Sequence, residues 1–330
     1  VASYPELSCD PSKKYEVRID GGISKDVLNV GDDRVIDFLK CVLGHVATVF
    51  PYDYVHIGGD ECPTDQWKTN QMCLDRVKEL GLDGVHQLQS WLVEELGIFL
   101  KEEYGKDIVV WDELLANWND NNKTKPVIMA WNGMGFSTQA ANRGFKSIIV
   151  PYQYLYIDFM QGEEGDLFVD EPYHGGWGVN TVDEIYGLNP LSALSGKEEF
   201  ALGVQCNMWT ETCNDIDELE YCLLPRMLAV SEIGWLPTDK KDWTSFYLRL
   251  QTHDEIFDHL DYQYAKHFIE PKEYTGQEST IMEAEELLAK SVRGGVGYPA
   301  AEVYDALKAA LESTDGQDVS ALAQAISDYK

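Results

Sequence analysis

The chain has 330 residues, with 57 acidic against 26 basic side chains and a net charge of −31. A field of that sign and size repels phosphate backbones and excludes nucleic acid as a partner. Hydrophobic residues make up 44% and aromatics 12%, enough for a packed core, so general disorder is excluded; no apolar run approaches the about 20 residues of a membrane span.

Residues 1–31 read as loop. Asp32 or Asp33 can cap a helix whose apolar positions Val35, Phe38, Leu39, Val42, Val46 and Val49 repeat at helical spacing. A short strand, Tyr54-Val55-His56-Ile57, runs into Gly58-Gly59-Asp60-Glu61. Helical patterns over about 65–80 and 84–104 lead to a second strand, Ile108-Val109-Val110-Trp111, ending in Asp112-Glu113. Val127–Trp131 is a third strand, ending in Asn132-Gly133. A short helix near 137–143 precedes a fourth, Ser147–Val150, which leads on to Tyr156-Ile157-Asp158. A long loop with Gly, Tyr and Trp covers about 160–180. Leu202–Trp209 is the last strand, ending near Glu211, and helices follow over about 216–234, kinked at Pro225, and 243–259.

Strands alternating with helices, and apolar throughout, indicate a parallel sheet. Each strand ends in polar and aromatic residues, which is where a (β/α)8 TIM barrel, an α/β fold, keeps its active site. A doubly wound open sheet is the competing fold; no glycine-rich nucleotide loop supports it. Only five such strands are countable, and a closed barrel needs eight. The first strands are therefore expected to be missing from the N-terminus or supplied by another chain. From about 279 the texture changes to three amphipathic patterns, Thr280–Ser291, Ala300–Leu311 and Val319–Tyr329. They read as a small all-α accessory module over 279–330, or as a passive packing element, beside a barrel over 1–270.

Seven cysteines form neither a CxxC pair nor a metal-ligand spacing. Mostly free thiols are expected, with one or two disulfides open, and neither metal nor cofactor is expected. Nine Trp and eighteen Tyr fit a cleft for sugars, whose C–H faces pack on apolar planes, though core packing is the alternative for each ring. The strongest chemical signal is His56-Ile57-Gly58-Gly59-Asp60-Glu61. Two glycines permit a sharp turn off a strand end, and two adjacent carboxylates then sit at its mouth, where like charge raises one of them toward the range of a general acid. A solvated loop is the alternative.

This segment resembles the signature of glycoside hydrolase family 20, the β-N-acetylhexosaminidases, and further matches follow in that family's order. They are Trp111-Asp112-Glu113, Trp131, Tyr156-Ile157-Asp158, Gly203–Glu211 and the helix Pro225–Trp235; Tyr4-Pro5-Glu6-Leu7 is similar to the loop after the family's third strand. The resemblance covers about 1–265. It implies a retaining exo-acting enzyme that removes terminal β-linked N-acetylglucosamine or N-acetylgalactosamine by substrate-assisted catalysis, outside the usual two-carboxylate scheme. The substrate's acetamido oxygen would attack the anomeric carbon and form an oxazolinium. Glu61 would be the general acid and then the base. Asp60 would hold the acetamido N–H, and Tyr156 would donate to the acetamido oxygen.

The resemblance also implies that Trp111, Trp131 and Trp209 wall the sugar pocket, that Trp177 packs on the leaving side, and that Asp158 and Glu211 bind the outer hydroxyls. His56 is expected to orient Asp60 or Glu61, or to be a packed histidine. Arg226 and Glu232 are expected to pair on one helix. Trp67, His174, Glu113 and Asn132 lie near strand ends without an assigned role. The family's Arg from its first strand, and its Asp and His from the second and third, have no counterparts here. The glycan is the implied partner, in a bacterial secreted or periplasmic setting, with oligomeric state open between monomer and dimer. Competing readings are a lacto-N-biosidase of the same family, a catalytically inactive carbohydrate-binding truncated barrel, and a barrel glycosidase with two distant carboxylates.

Overall fold

The computed structural model describes residues 1–162, 177–268, 276–289, 291–295, 298–314 and 318–330. It divides into two compact units, Val1–Ile269 and Glu270–Lys330.

In the first unit the helices α1 (Asp33–Val49), α2 (Gln71–Leu80), α3 (Leu88–Tyr104), α4 (Met134–Asn142), α5 (Tyr152–Leu155) and α6 (Val182–Gly187) are interleaved with strands β1 (Tyr54–His56), β2 (Asp107–Trp111), β3 (Val127–Ala130), β4 (Ser147–Ile149) and β5 (Ala201–Val204). Helices α7 (Ile216–Leu223), α8 (Arg226–Trp235), α9 (Trp243–Leu250) and α10 (Asp254–His259) follow. The strands form one sheet in the order β1-β2-β3-β4-β5, every pair parallel. Parallel pairing puts all five C-terminal ends on one edge, which is what lets residues far apart in sequence share a site.

The alternation along the strands separates two environments. Val55, Ile108, Val110 and Ile128 bury into a cluster with Ala47, Val93, Leu100 and Ala140 from α1, α3 and α4. Each such aliphatic side chain, once fully buried, stabilises the fold by about 1.5–3 kcal/mol. One residue out of phase, Tyr54, His56, Val109, Trp111, Met129 and Ile148 line an open depression on the opposite face. The period-2 logic of a barrel strand, one face to the helices and one face away from them, is therefore present.

Local chemistry explains the element ends. Asp32 caps α1, accepting from the Arg34 backbone N–H at 2.9 Å, and Asn70 caps α2 in the same way through Cys73; each such cap stabilises by about 1 kcal/mol. The expected single helix over 216–234 is two helices, because Pro225 has no N–H to continue the ladder and separates α7 from α8. The pattern at 243–259 divides similarly into α9 and α10 around 251–253. The expected strand to Trp209 stops at Val204; beyond it Asn207 makes a single parallel bridge with Tyr156.

The second unit contains α11 (Gly276–Ala289), α12 (Ala301–Ser313) and α13 (Ser320–Tyr329), packed around Ala284, Leu307, Leu322, Ile326 and Tyr329. Among the described residues no helix is long and apolar enough to cross a membrane, and the seven cysteines carry no disulfide.

Candidate active site

The turn after β1 is built from unusual backbone. Gly58 and Gly59 have φ of +82° and +108°, and Glu61 itself sits at +45°. Only glycine adopts the first two without strain. Hydrogen bonds dock the turn on its neighbours: the Trp111 N–H donates to the Gly58 carbonyl at 3.1 Å, and Gln89 Nε2 donates to the Gly59 carbonyl at 3.1 Å. A left-handed Glu61 costs of order 1–3 kcal/mol, and it presents two successive carboxylates outward instead of alternating them across a strand. Asp60 and Glu61 are both exposed.

They open onto a pocket of about 330 Å³ lined by Asp60, Glu61, Trp111, Trp131, Tyr152, Tyr156, Asp158, Phe159, Trp177, Trp209 and Glu211. That volume falls at the small end for ligand sites, suited to one compact ligand. The sheet edge thus brings together the carboxylates, the tyrosine and all four tryptophans that the sequence nominates. The rings form a continuous wall. Trp111 and Trp209 have centroids 6.1 Å apart, Tyr156 meets Trp209 edge-on at 5.9 Å, and Trp131 stacks on Tyr156 at 6.1 Å with planes 13° apart. Trp177 differs: it borders the pocket but is 93% exposed.

Tyr152 and Phe159 line the same pocket and were missed by sequence reasoning. Tyr152 follows β4 directly and packs against Trp131 and Tyr156 at 6.2 Å from each. Its signal, an aromatic just past a strand end, was the same one that nominated the tryptophans.

His56 lies in the neighbouring depression on the inner sheet face, not among the pocket's lining residues. Its Nδ1 accepts from the Gly58 N–H at 3.0 Å and its ring meets Trp111 edge-on at 4.8 Å. It therefore braces the glycine turn, accepting its hydrogen bond from backbone rather than engaging either carboxylate. Desolvation holds its pKa below the ordinary histidine value, against the raising influence of Asp60. Trp67 is buried far from this wall, its indole N–H donating to the Leu28 carbonyl at 2.9 Å. His174 lies outside the described residues.

Two further groups lining the pocket are strongly perturbed. Burial pushes the Tyr156 hydroxyl up to about 12, so it stays a protonated donor at neutral pH. Asp158 is only 5% exposed and is pushed up to about 6, first by desolvation and then by the charge of Glu211, with Arg226 acting in the opposite direction. Its Oδ1 is buried without a hydrogen-bond partner, the state of an acceptor awaiting a donor.

The segment carrying Tyr156 and Asp158 is held by a residue whose part was misjudged. Arg226 does not pair with Glu232. It is fully buried, and its guanidinium donates to the carbonyls of Ile157 (2.6 Å), Phe159 (2.8 Å), Asn180 (3.0 Å) and Cys222 (2.7 Å). Glu232 instead accepts from Tyr186 and pairs with Arg249. A guanidinium with five donors can gather carbonyls from three segments at once. No group of three or more His, Cys, Asp or Glu able to hold a metal occurs among the described residues.

Comparison with known proteins follows this geometry closely. Residues 1–238 match the model of the glycosyl hydrolase family 20 catalytic domain. The chain is 36% identical over 253 residues to a beta-hexosaminidase of Porphyromonas gingivalis, covering 76% of this chain and 31% of that protein. It is 30% identical over 237 residues to a beta-hexosaminidase of Vibrio furnissii, covering 71% and 38%. The structure is similar to that of an exo beta-N-acetylglucosaminidase of Vibrio harveyi solved with N-acetylglucosamine. There the TM-score is 0.70 at 27% identity, over 80% of this chain and 41% of that one. The chain thus spans between about a third and two fifths of the length of these relatives.

Proposed function

The chain belongs to glycosyl hydrolase family 20, and on that premise we propose that its pocket hydrolyses terminal β-linked N-acetylglucosamine or N-acetylgalactosamine with assistance from the substrate's own acetamido group. The five parallel strands are then a sector of a (β/α)8 barrel, with the pocket on its C-terminal edge.

The observation that carries this reading is the one-sided arrangement of the chemistry. Asp60 and Glu61 are neighbours on one turn after β1, and a protonated tyrosine, Tyr156, lines the same pocket from the segment after β4. Adjacent carboxylates on one strand end cannot bracket a sugar from opposite faces, so the second carboxylate is badly placed as a nucleophile. A 2-acetamido oxygen supplies one from within the substrate, with the effective concentration of an intramolecular reaction. Glu61 protonates the leaving oxygen and then takes a proton from water. Asp60 accepts from the acetamido N–H as positive charge develops there. Tyr156 donates to the acetamido oxygen and aims it. Trp111, Trp131 and Trp209 give the sugar an apolar wall and exclude water, which strengthens each polar contact. Asp158, with its unpartnered oxygen, and Glu211 accept from the outer hydroxyls. Trp177, exposed at the rim, packs on the leaving group.

The outer edges of β1 and β5 have no strand partner among the described residues. Barrel closure by further strands pairing there, from a longer chain or a second one, belongs to the proposal. The experiment is hydrolysis of an aryl β-N-acetylglucosaminide beside the plain aryl β-glucoside, with and without an N-terminally extended form. Selective cleavage of the N-acetyl compound, blocked by a thiazoline mimic of the oxazoline, supports the proposal. Equal cleavage of both rejects acetamido participation.

A further inference from the structure

Two Asp-Glu dipeptides stand at the ends of adjacent strands, and they have opposite surroundings. Asp60-Glu61 after β1 is exposed to the pocket. Asp112-Glu113 after β2 is turned inward: Asp112 is fully buried and Glu113 half-buried. The proposed chemistry uses only the first.

The second dipeptide grips the end of β3 residue by residue. Asp112 Oδ2 accepts from the Asn132 backbone N–H at 2.9 Å, and its Oδ1 accepts from Asn132 Nδ2 at 2.7 Å. Glu113 Oε2 accepts the indole N–H of Trp131 at 2.9 Å. Consecutive residues of one strand end thus hold consecutive residues of the next, with the backbone fixed by Asp112 and the ring by Glu113. Trp131 in turn is the ring stacked on Tyr156, and its carbonyl accepts from the Tyr152 N–H at 2.9 Å.

An indole can rotate about χ1 and χ2, and apolar contact alone restrains it weakly in a pocket that must also open to solvent. A charge-assisted hydrogen bond to its single N–H removes that freedom. Burial pushes both carboxyl groups of the clamp above their ordinary range, with the charge of Asp60 adding to the effect on Glu113. A half-buried carboxyl kept beside two other acids, Asp112 and Asp60, is costly unless it has a donor to hold.

We infer that Glu113 is a positioning residue that fixes the plane of Trp131 and, through the stacked rings, the place of the Tyr156 hydroxyl against the acetamido group of the substrate. The inference deepens the function proposed above and rests on it for its kinetic consequence, while the clamp itself is a property of the folded chain.

The test compares Glu113→Gln, which keeps an oxygen acceptor, with Glu113→Ala, which removes it. Hydrolysis of an aryl β-N-acetylglucosaminide, affinity for the thiazoline mimic and thermal unfolding are measured for each, on the form of the protein found active. The indole N–H resonance of Trp131, identified by its absence in Trp131→Phe, is followed in parallel. Glu113→Ala is expected to lower kcat by about 10–100-fold, the effect of misplacing one aligned group, to weaken the mimic by a similar factor and to speed exchange of the Trp131 N–H. Glu113→Gln restores most of each. Unchanged kcat and KM in Glu113→Ala overturn the positioning role, as does a loss confined to thermal stability. Failure of the wild type to cleave or bind any N-acetyl compound sinks the function instead. The Trp131 resonance then decides the clamp alone: an unmoved signal in Glu113→Ala overturns it, and a shifted, faster-exchanging one supports it.

Discussion

Trp131 and Tyr156 lie almost parallel, planes 13° apart and centroids 6.1 Å apart, although they follow different strands and are separated by α4, β4 and α5. The phenol is packed on one side by this indole and met edge-on by Trp209 and Phe159. Rings from three strand ends therefore hold the phenol plane in place. Tyr156→Phe removes the hydroxyl donor and preserves the packing. A fall in kcat of about 10²–10³-fold is expected, the loss of one transition-state hydrogen bond, with little change in thermal stability. Kinetics on an aryl N-acetylglucosaminide check this; an effect on KM alone contradicts the role.

Asp60 and Glu61 share a turn but are assigned different work, and leaving-group dependence separates them. Glu61→Gln is expected to lose about 10²–10⁴-fold with poor leaving groups, which need a proton, and much less with good ones. Asp60→Asn should depress both classes alike, because the acetamido oxygen displaces the leaving group of either class in the same step, forming one bond to the anomeric carbon as the other breaks. Near-normal turnover of a poor substrate by Glu61→Gln would remove the acid from the mechanism.

Asp158 links the pocket to pH. Its folded value near 6 lies above the ordinary 3.8, so the folded state binds this proton more tightly than the unfolded chain does. The stabilising contribution is complete below pH ~4 and is lost as pH rises through 6, leaving a buried charge at neutrality. Asp158→Asn should flatten that part of the stability profile and raise stability at pH 7–8 by on the order of 1–2 kcal/mol. Denaturant unfolding at pH 4.5 and pH 7.5 gives the comparison. For catalysis the sign reverses, because the ionised carboxylate is the better acceptor for a sugar hydroxyl. KM should rise as pH falls below 6 in the wild type and lose that dependence in the variant.

Arg226 gathers four backbone carbonyls, those of Ile157, Phe159, Asn180 and Cys222. Arg226→Met fills similar volume and leaves those acceptors dry. A destabilisation of about 3–5 kcal/mol is expected from breaking a buried charged network, with loss of the Tyr156 and Asp158 positions even where the fold persists. Thermal unfolding combined with thiazoline binding tests this. A variant as stable as the wild type and equally tight for the mimic would show that the segment is held by other contacts.

Legibility in the sequence was uneven in a physically ordered way. The five strands were readable because apolar runs flanked by polar, aromatic ends are a property of each segment alone, as in Ile108–Trp111 followed by Asp112-Glu113. The capping of α1 by Asp32 was readable for the same reason. Helix breaks at Pro225 and at 251–253 blurred, since apolar spacing at helical period does not by itself mark where the hydrogen-bond ladder is interrupted. Tyr152 was missed because its proximity to Trp131 depends on how β4 sits beside β3.

What the amino-acid order determined by itself is the alternation of strand and helix, the glycine turn that exposes Asp60 and Glu61, and the concentration of rings at strand ends. These are encoded over a few residues, through backbone sterics and hydrophobic periodicity. Tertiary structure alone decided which of two identical Asp-Glu dipeptides faces the pocket and which clamps Trp131. It alone gave Arg226 to carbonyls of Ile157 and Phe159, nearly 70 residues away, and not to Glu232 on its own helix. Hydrogen-bond partners at that separation follow from parallel register and burial, which no local spacing contains, so the same residue pair can be a reactive mouth on one strand and a structural clasp on the next.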